Sequence, residues 1–139
     1  MSLDPTLAAH AVAAAADAIV TLDRSAKVTL WNTAAEQLLG FSRQQAMEQG
    51  LVLIIPAEYR ARHVAAFHAA MDGGQLAHGG VVARVEAVTA SGARVVLGLS
   101  LGLLAGRDGQ GGQPAGVVGV LRPLGDTAVD FVTPNEDGA

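Results

Sequence analysis

The sequence predicts one α+β domain on three observations. Its apolar patterning runs strand, strand, three helices, then three more strands. Within Arg94–Leu104 the residues alternate, with Val95, Leu97, Leu99, Leu101 and Leu103 on one side and Arg94, Val96, Gly98, Ser100 and Gly102 on the other. That is the period of a β-strand with one bulky face and one small face. A chain of 139 residues has room for one ordinary domain and not for two.

Taken in order, residues 1–16 read as a leader and an N-terminal cap helix. The stretch 6–16 is rich in alanine, the best helix former, and its small side chains let another backbone come close. Residues 18–22 are β-type, Asp23-Arg24-Ser25-Ala26 is a turn, and residues 27–31 alternate again, which makes a hairpin. Two short helices follow, because Thr33 with Glu36 and Ser42 with Gln45 have the spacing of capping boxes. Gly40 between them suits a left-handed helix stop. Residues 51–55 are an apolar run ended by Pro56, which fits the first position of a helix reaching about Met71, and Asp72-Gly73-Gly74 closes that helix. Strands are then expected over 80–88, 94–104 and 116–121, separated by Ser91-Gly92 and by a glycine-rich loop over 106–114. From Gly125 the chain is acidic, contains Pro134 and has little to bury. The expected boundaries are 1–16 for leader and cap helix, 17–124 for the domain and 125–139 for an acidic tail.

Composition narrows the function. Half of the residues are apolar but only 4% are aromatic, so the core is built from Ala, Val and Leu, with either a roomy interior or close backbone packing. Nine Lys and Arg stand against thirteen Asp and Glu, for a net charge of -4, and one lysine, Lys27, stands among scattered arginines. A basic nucleic-acid footprint is missing. His10 and Asp17 interrupt the apolar stretch 7–20, which falls short of a membrane span, and nothing reads as a cleavable signal. The chain has no cysteine, which excludes disulfides, thiolate nucleophiles, Cys-ligated zinc and a cysteine-linked chromophore. A cytoplasmic location is the expectation.

The stretch Asp17-Ala18-Ile19-Val20, then Val28-Thr29-Leu30-Trp31-Asn32-Thr33-Ala34-Ala35-Glu36, then Leu39-Gly40-Phe41-Ser42, in this order of elements, resembles the PAS sensory domain family. The likeness runs from about Asp17 to Leu121. Trp31-Asn32 followed by Ala34-Ala35-Glu36 and Gly40-Phe41-Ser42 is its most specific part. Ile55-Pro56 and Ser91-Gly92 fall in the expected order. The resemblance implies a five-stranded antiparallel sheet with helices over one face, enclosing a pocket. The bulky face of 94–104 then points to core or ligand. Its small face lies outside, where the cap helix of this chain or of a partner packs. Where the family usually carries an Arg-Asp pair leading into its output linker, this chain has Leu121-Arg122-Pro123-Leu124-Gly125-Asp126.

Tyr59, His63, Phe67 and Ala70 are spaced i, i+4, i+8, i+11 and form one helical stripe. His63 sits at its centre and is expected to face inward, whereas His68 lies about 140° around the helix and is expected to face away. The segment Pro56-Ala57-Glu58-Tyr59-Arg60-Ala61-Arg62-His63 resembles the haem-binding PAS domains of oxygen-sensing histidine kinases and phosphodiesterases. That likeness implies His63 as the axial ligand of haem b, with Leu99 and Leu101 as distal apolar residues. The distal arginine of such sensors falls at Ala83, with the nearest arginine at Arg84, and one step along a strand reverses the face. His78 and Arg84 are the candidate propionate partners. The alternative is a partly buried, hydrogen-bonded histidine, as in PAS domains without haem. A flavin held without covalent chemistry stays open.

Other motifs carry little. Gly98-Leu99-Ser100-Leu101-Gly102 matches the G-x-S-x-G nucleophile elbow, but that motif needs a strand-to-helix turn and this one sits inside an alternating strand. The histidines lack metal-site spacing, and 106–112 lacks the Gly-Lys-Ser/Thr ending of a phosphate loop. The sequence thus predicts a sensor without catalytic residues, in two-component or related bacterial-type signalling, including transcription regulation. It would bind a small ligand or cofactor through His63, Tyr59, Phe67, Leu99 and Leu101 and relay occupancy to an effector domain or partner. A homodimer through the N-terminal helix and outer sheet face is expected. A haem-b gas or redox sensor and a ligand-free dimerisation module are the alternatives.

Overall fold

The computed structural model describes residues 4–76, 80–106 and 113–124. Helix α1 (Pro5–Ala14) opens where the Asp4 carboxylate accepts the Thr6 N–H at 3.0 Å, with Pro5 in its first turn. Strands β1 (Ala18–Asp23) and β2 (Val28–Trp31) form the expected hairpin. Asp23 Oδ1 fixes its turn by accepting the N–H groups of Ser25 at 2.8 Å and Lys27 at 3.0 Å, and Ala26 takes a φ of 66°. The pairing register shifts between Thr21 and Leu22, a bulge that increases local twist.

Helices α2 (Thr33–Leu39) and α3 (Arg43–Gln49) follow. The Ser42–Gln45 capping box forms, at 3.1 and 2.8 Å. The one expected at Thr33 does not. Asn32 caps α2 instead, its Oδ1 accepting the Ala35 N–H at 2.9 Å, which leaves Glu36 one residue too far along. The Glu36 carboxylate accepts the Arg43 N–H at 2.7 Å and so joins α2 to α3. Short 3₁₀ turns at Leu51–Ile54 and Ala57–Tyr59 lead into α4 (Arg60–Gly73), so Pro56 precedes a 3₁₀ turn and does not open the α-helix itself. Then come β3 (Val82–Val88), β4 (Arg94–Leu104) and β5 (Gly116–Pro123).

The five strands form one antiparallel sheet in the order β2-β1-β5-β4-β3. Its covered face carries Val20, Leu22, Trp31, Ala87, Leu97, Val117 and Leu121, packed with Leu39, Ala46, Ile54, Phe67 and Met71 from the helical side. The bulky face of β4 points into this core, as the alternation requires. Close backbone packing stands in for missing aromatic bulk. A Cβ at Gly116 would run into the Leu22 carbonyl oxygen, and one at Gly119 would meet methyls of Leu99 at 3.4 Å and Leu101 at 3.6 Å.

The small face of β4 lies outside, but this chain's own cap helix does not cover it. Helix α1 packs against α2 and has no buried residue. It is held there because the Asn32 amide donates to the Val12 carbonyl at 2.8 Å, and Gly98 is approached instead by Val82 and Leu124. The expected acidic tail, His78 and most of the glycine-rich loop lie outside the described residues.

Candidate functional site

Helix α4 is pinned at both ends. Below it, Arg94 grips Glu58 with two donors at 2.6 and 2.9 Å and reaches Glu86 at 3.4 Å, tying the 3₁₀ lead-in to β4 and β3. The Arg94 side chain holds the Glu58 carboxyl down at about 2, mainly through that hydrogen bond. Above it, Arg24 in the hairpin turn donates to the Pro114 carbonyl at 2.7 Å and to the Met71 carbonyl at 3.4 Å.

Between these pins lies a cavity of about 150 Å³. Helix α4 gives it His63, Val64, Phe67 and His68, the hairpin gives Leu22 and Ala26, and the segment after α3 gives Gln49, Gly50, Leu51 and Val52. His63 is half-buried, and desolvation pushes its imidazole below the ordinary range, toward the neutral form. No buried side-chain nitrogen or oxygen among the described residues lacks a hydrogen-bond partner, and His63 makes no hydrogen bond there, so its ring nitrogens reach the open side of the cavity. Phe67 is buried, and its ring meets that of His68 edge-on, centroids 5.8 Å apart and planes at 74°.

The structure therefore brings His63 and Phe67 to one cavity and places the other expected site residues elsewhere. Tyr59 is exposed at the start of α4, with the Arg62 guanidinium 5.8 Å over its ring. Leu99 and Leu101 lay their methyls over Gly119 on the sheet. His68 is exposed, as expected, and still borders the open side of the cavity, because the cavity wraps one flank of α4 and takes two neighbouring stripes, 63/67 and 64/68. Leu22, Ala26 and residues 49–52 were not foreseen. Their one local signal is backbone that leaves regular structure, at Ala26 with φ 66° and Gly50 with φ 84°.

These residues do not fit a haem. The space beside His63 has about the volume of an engineered cavity that holds benzene, well below that of a macrocycle. The β3–β4 register runs without a break and pairs Ala83 with Leu99 and Arg84 with Gly98. Arg84 thus sits on the outer face and reaches neither a distal site nor propionates. Ser100 pairs with Val82 and Val120 in mid-strand, with no helix behind it to make a nucleophile elbow.

A family model described as the PAS fold matches residues 7–99. The chain belongs to the PAS family. Among solved structures, the PAS domain of a Colwellia psychrerythraea protein superposes with a TM-score of 0.70 at 20% identity, covering 86% of this chain and 95% of that one. A domain of a sensory box sensor histidine kinase/response regulator from Geobacter sulfurreducens gives 0.63 at 19% identity, over 84% and 91%. The Rhodobacter sphaeroides LOV protein gives 0.62 at 17%, over 98% and 74%. At these identities the likeness is one of fold. No curated protein sequence matches. PAS domains serve as sensory modules, and no helix among the described residues is long and apolar enough to cross a membrane.

Proposed function

We propose that this PAS domain is a sensory module that takes a small molecule in the His63 cavity and passes its occupancy to an effector domain or partner protein. The observation that carries this reading is a mostly apolar cleft, open on one side, lined by a half-buried, neutral-leaning imidazole, with walls from three separate parts of the chain. A guest touching all three favours one arrangement of them over another, which is all that signalling by a bound ligand needs. The route outward supports it. Leu22 and Ala26 belong to the hairpin, and β2 is followed directly by Asn32, which is bonded to α1 through the Val12 carbonyl.

The test is a thermal-shift screen of small molecules on the wild-type chain and on Val64→Trp, which plugs the cavity mouth. Compounds that raise the melting temperature of the wild type and not of the variant support the reading, and equal shifts in both contradict it.

Exposed Leu7 on α1 and Val82 on the outer sheet face, 66% and 62% accessible, favour a second reading as a dimerisation module. Sedimentation of the wild type and of Val82→Glu tests it, since a dimer through this face dissociates in the variant.

A further inference from the structure

We infer that the guest of the His63 cavity is an uncharged, single-ring aromatic molecule carrying one hydroxyl group, with phenol as its simplest member. The inference rests on the proposed ligand-binding role of the cavity and specifies its ligand. Size comes first. About 150 Å³ is the volume of an engineered cavity that holds benzene and half or less of a typical drug-sized pocket, so one six-membered ring fills it.

The walls set the polarity. Leu22, Ala26, Leu51, Val52, Val64 and Phe67 are apolar, and the lining contains no Lys, Arg, Asp or Glu. A carboxylate or ammonium guest would lose its hydration without a counter-charge, which disfavours both. The Phe67 ring, already edge-on to His68, offers an aromatic guest a further edge or face that a saturated ring of equal size cannot use as well.

The imidazole of His63 sets the functional group. Half-buried in the wall of the cleft, with ring nitrogens that no described residue occupies and that reach its open side, the neutral ring presents a nitrogen lone pair that accepts a hydrogen bond. A phenolic O–H is a strong donor on a flat apolar body and satisfies that nitrogen. The Gln49 carboxamide, also in the lining, is a second partner for the same oxygen.

The test is calorimetric titration of the full chain with phenol, toluene, cyclohexanol and benzoate, repeated on His63→Leu and on Val64→Trp. Phenol is expected to bind the wild type about tenfold tighter than toluene, which lacks the hydroxyl, and to outbind cyclohexanol and benzoate. In His63→Leu the preference for phenol over toluene should collapse toward unity while toluene still binds, and Val64→Trp should bind neither. Benzoate or cyclohexanol matching phenol, or an unchanged phenol preference in His63→Leu, overturns the ligand class and leaves the cavity as a binding site. Binding of all four probes undiminished in Val64→Trp overturns the site itself, and with it the proposed function. A wild-type chain that binds none of the four overturns the ligand class, and positive hits from the thermal-shift screen would then show that the wider reading survives.

Discussion

Asn32 shows how much one buried polar side chain holds together. Its Oδ1 accepts the N–H groups of Ile19 and Ala35, both at 2.9 Å, and its Nδ2 donates to the carbonyls of Val12 at 2.8 Å and Asp17 at 3.1 Å. The end of β2 is thereby fastened to α1, β1 and α2 at once. Asn32→Ala strands these backbone groups together and should cost about 2–4 kcal/mol in urea unfolding. A loss within experimental error of zero would mean that water replaces the whole network. His63 makes a prediction with a definite sign. Its folded-state pKa lies below that of the unfolded chain, so the unfolded state takes up the proton first as the solution is acidified. Its contribution is complete above about pH 6.5 and is lost as pH falls from there toward the depressed folded value. Unfolding free energy followed from pH 7.5 to 5 should fall less in His63→Leu than in the wild type. Parallel profiles would place the imidazole in water.

At the scale of elements, helix ends and close approaches decide the outcome. Gly40 ends α2 at φ 83°, and a Cβ there would stand 3.0 Å from that of Ala90, so Gly40→Ala should cost about 1–2 kcal/mol, measurable by thermal unfolding. Gly116→Ala sets a Cβ against the Leu22 carbonyl oxygen and should separate β5 from β1, with a larger loss than any surface substitution in the sheet. The ion pair under α4 responds to acid in its own window. Glu58 has its pKa lowered by Arg94 from about 4.5 to about 2, so its contribution is present above the upper value and lost as pH falls toward the lower, well below the range of His63. Being exposed, it positions α4 more than it stabilises the fold. Much of this level was legible in the sequence. Ser42 with Gln45 announces a box because the hydroxyl and the carboxamide are adjacent in space only if the helix starts there. Thr33 with Glu36 shows the same spacing and misleads, since Asn32 lies one residue upstream and is the stronger cap.

For the whole molecule, the alternation of β4 identified the covered face because strand period alone decides which side chains share a face. The stripe of His63 and Phe67 was legible for the same reason on a helix. The cavity was not. Leu22, Ala26 and residues 49–52 come to α4 from parts of the chain distant in sequence, and no local pattern reports which loop a helix flank will face. Leu99 and Leu101 lie on the inner face, as their spacing requires, with their methyls over Gly119 of the neighbouring strand and outside the lining of the cavity. The space on one flank of α4 is small, and a single ring suits it where a macrocycle does not. Hydrogen exchange of the chain with and without saturating phenol tests this most directly. Slower exchange is predicted at residues 22–26, 49–52 and 63–68, extending to α1 through Asn32, whereas bound phenol whose protection is absent from those segments, or confined to β3 and β4, would contradict a ligand cavity at His63.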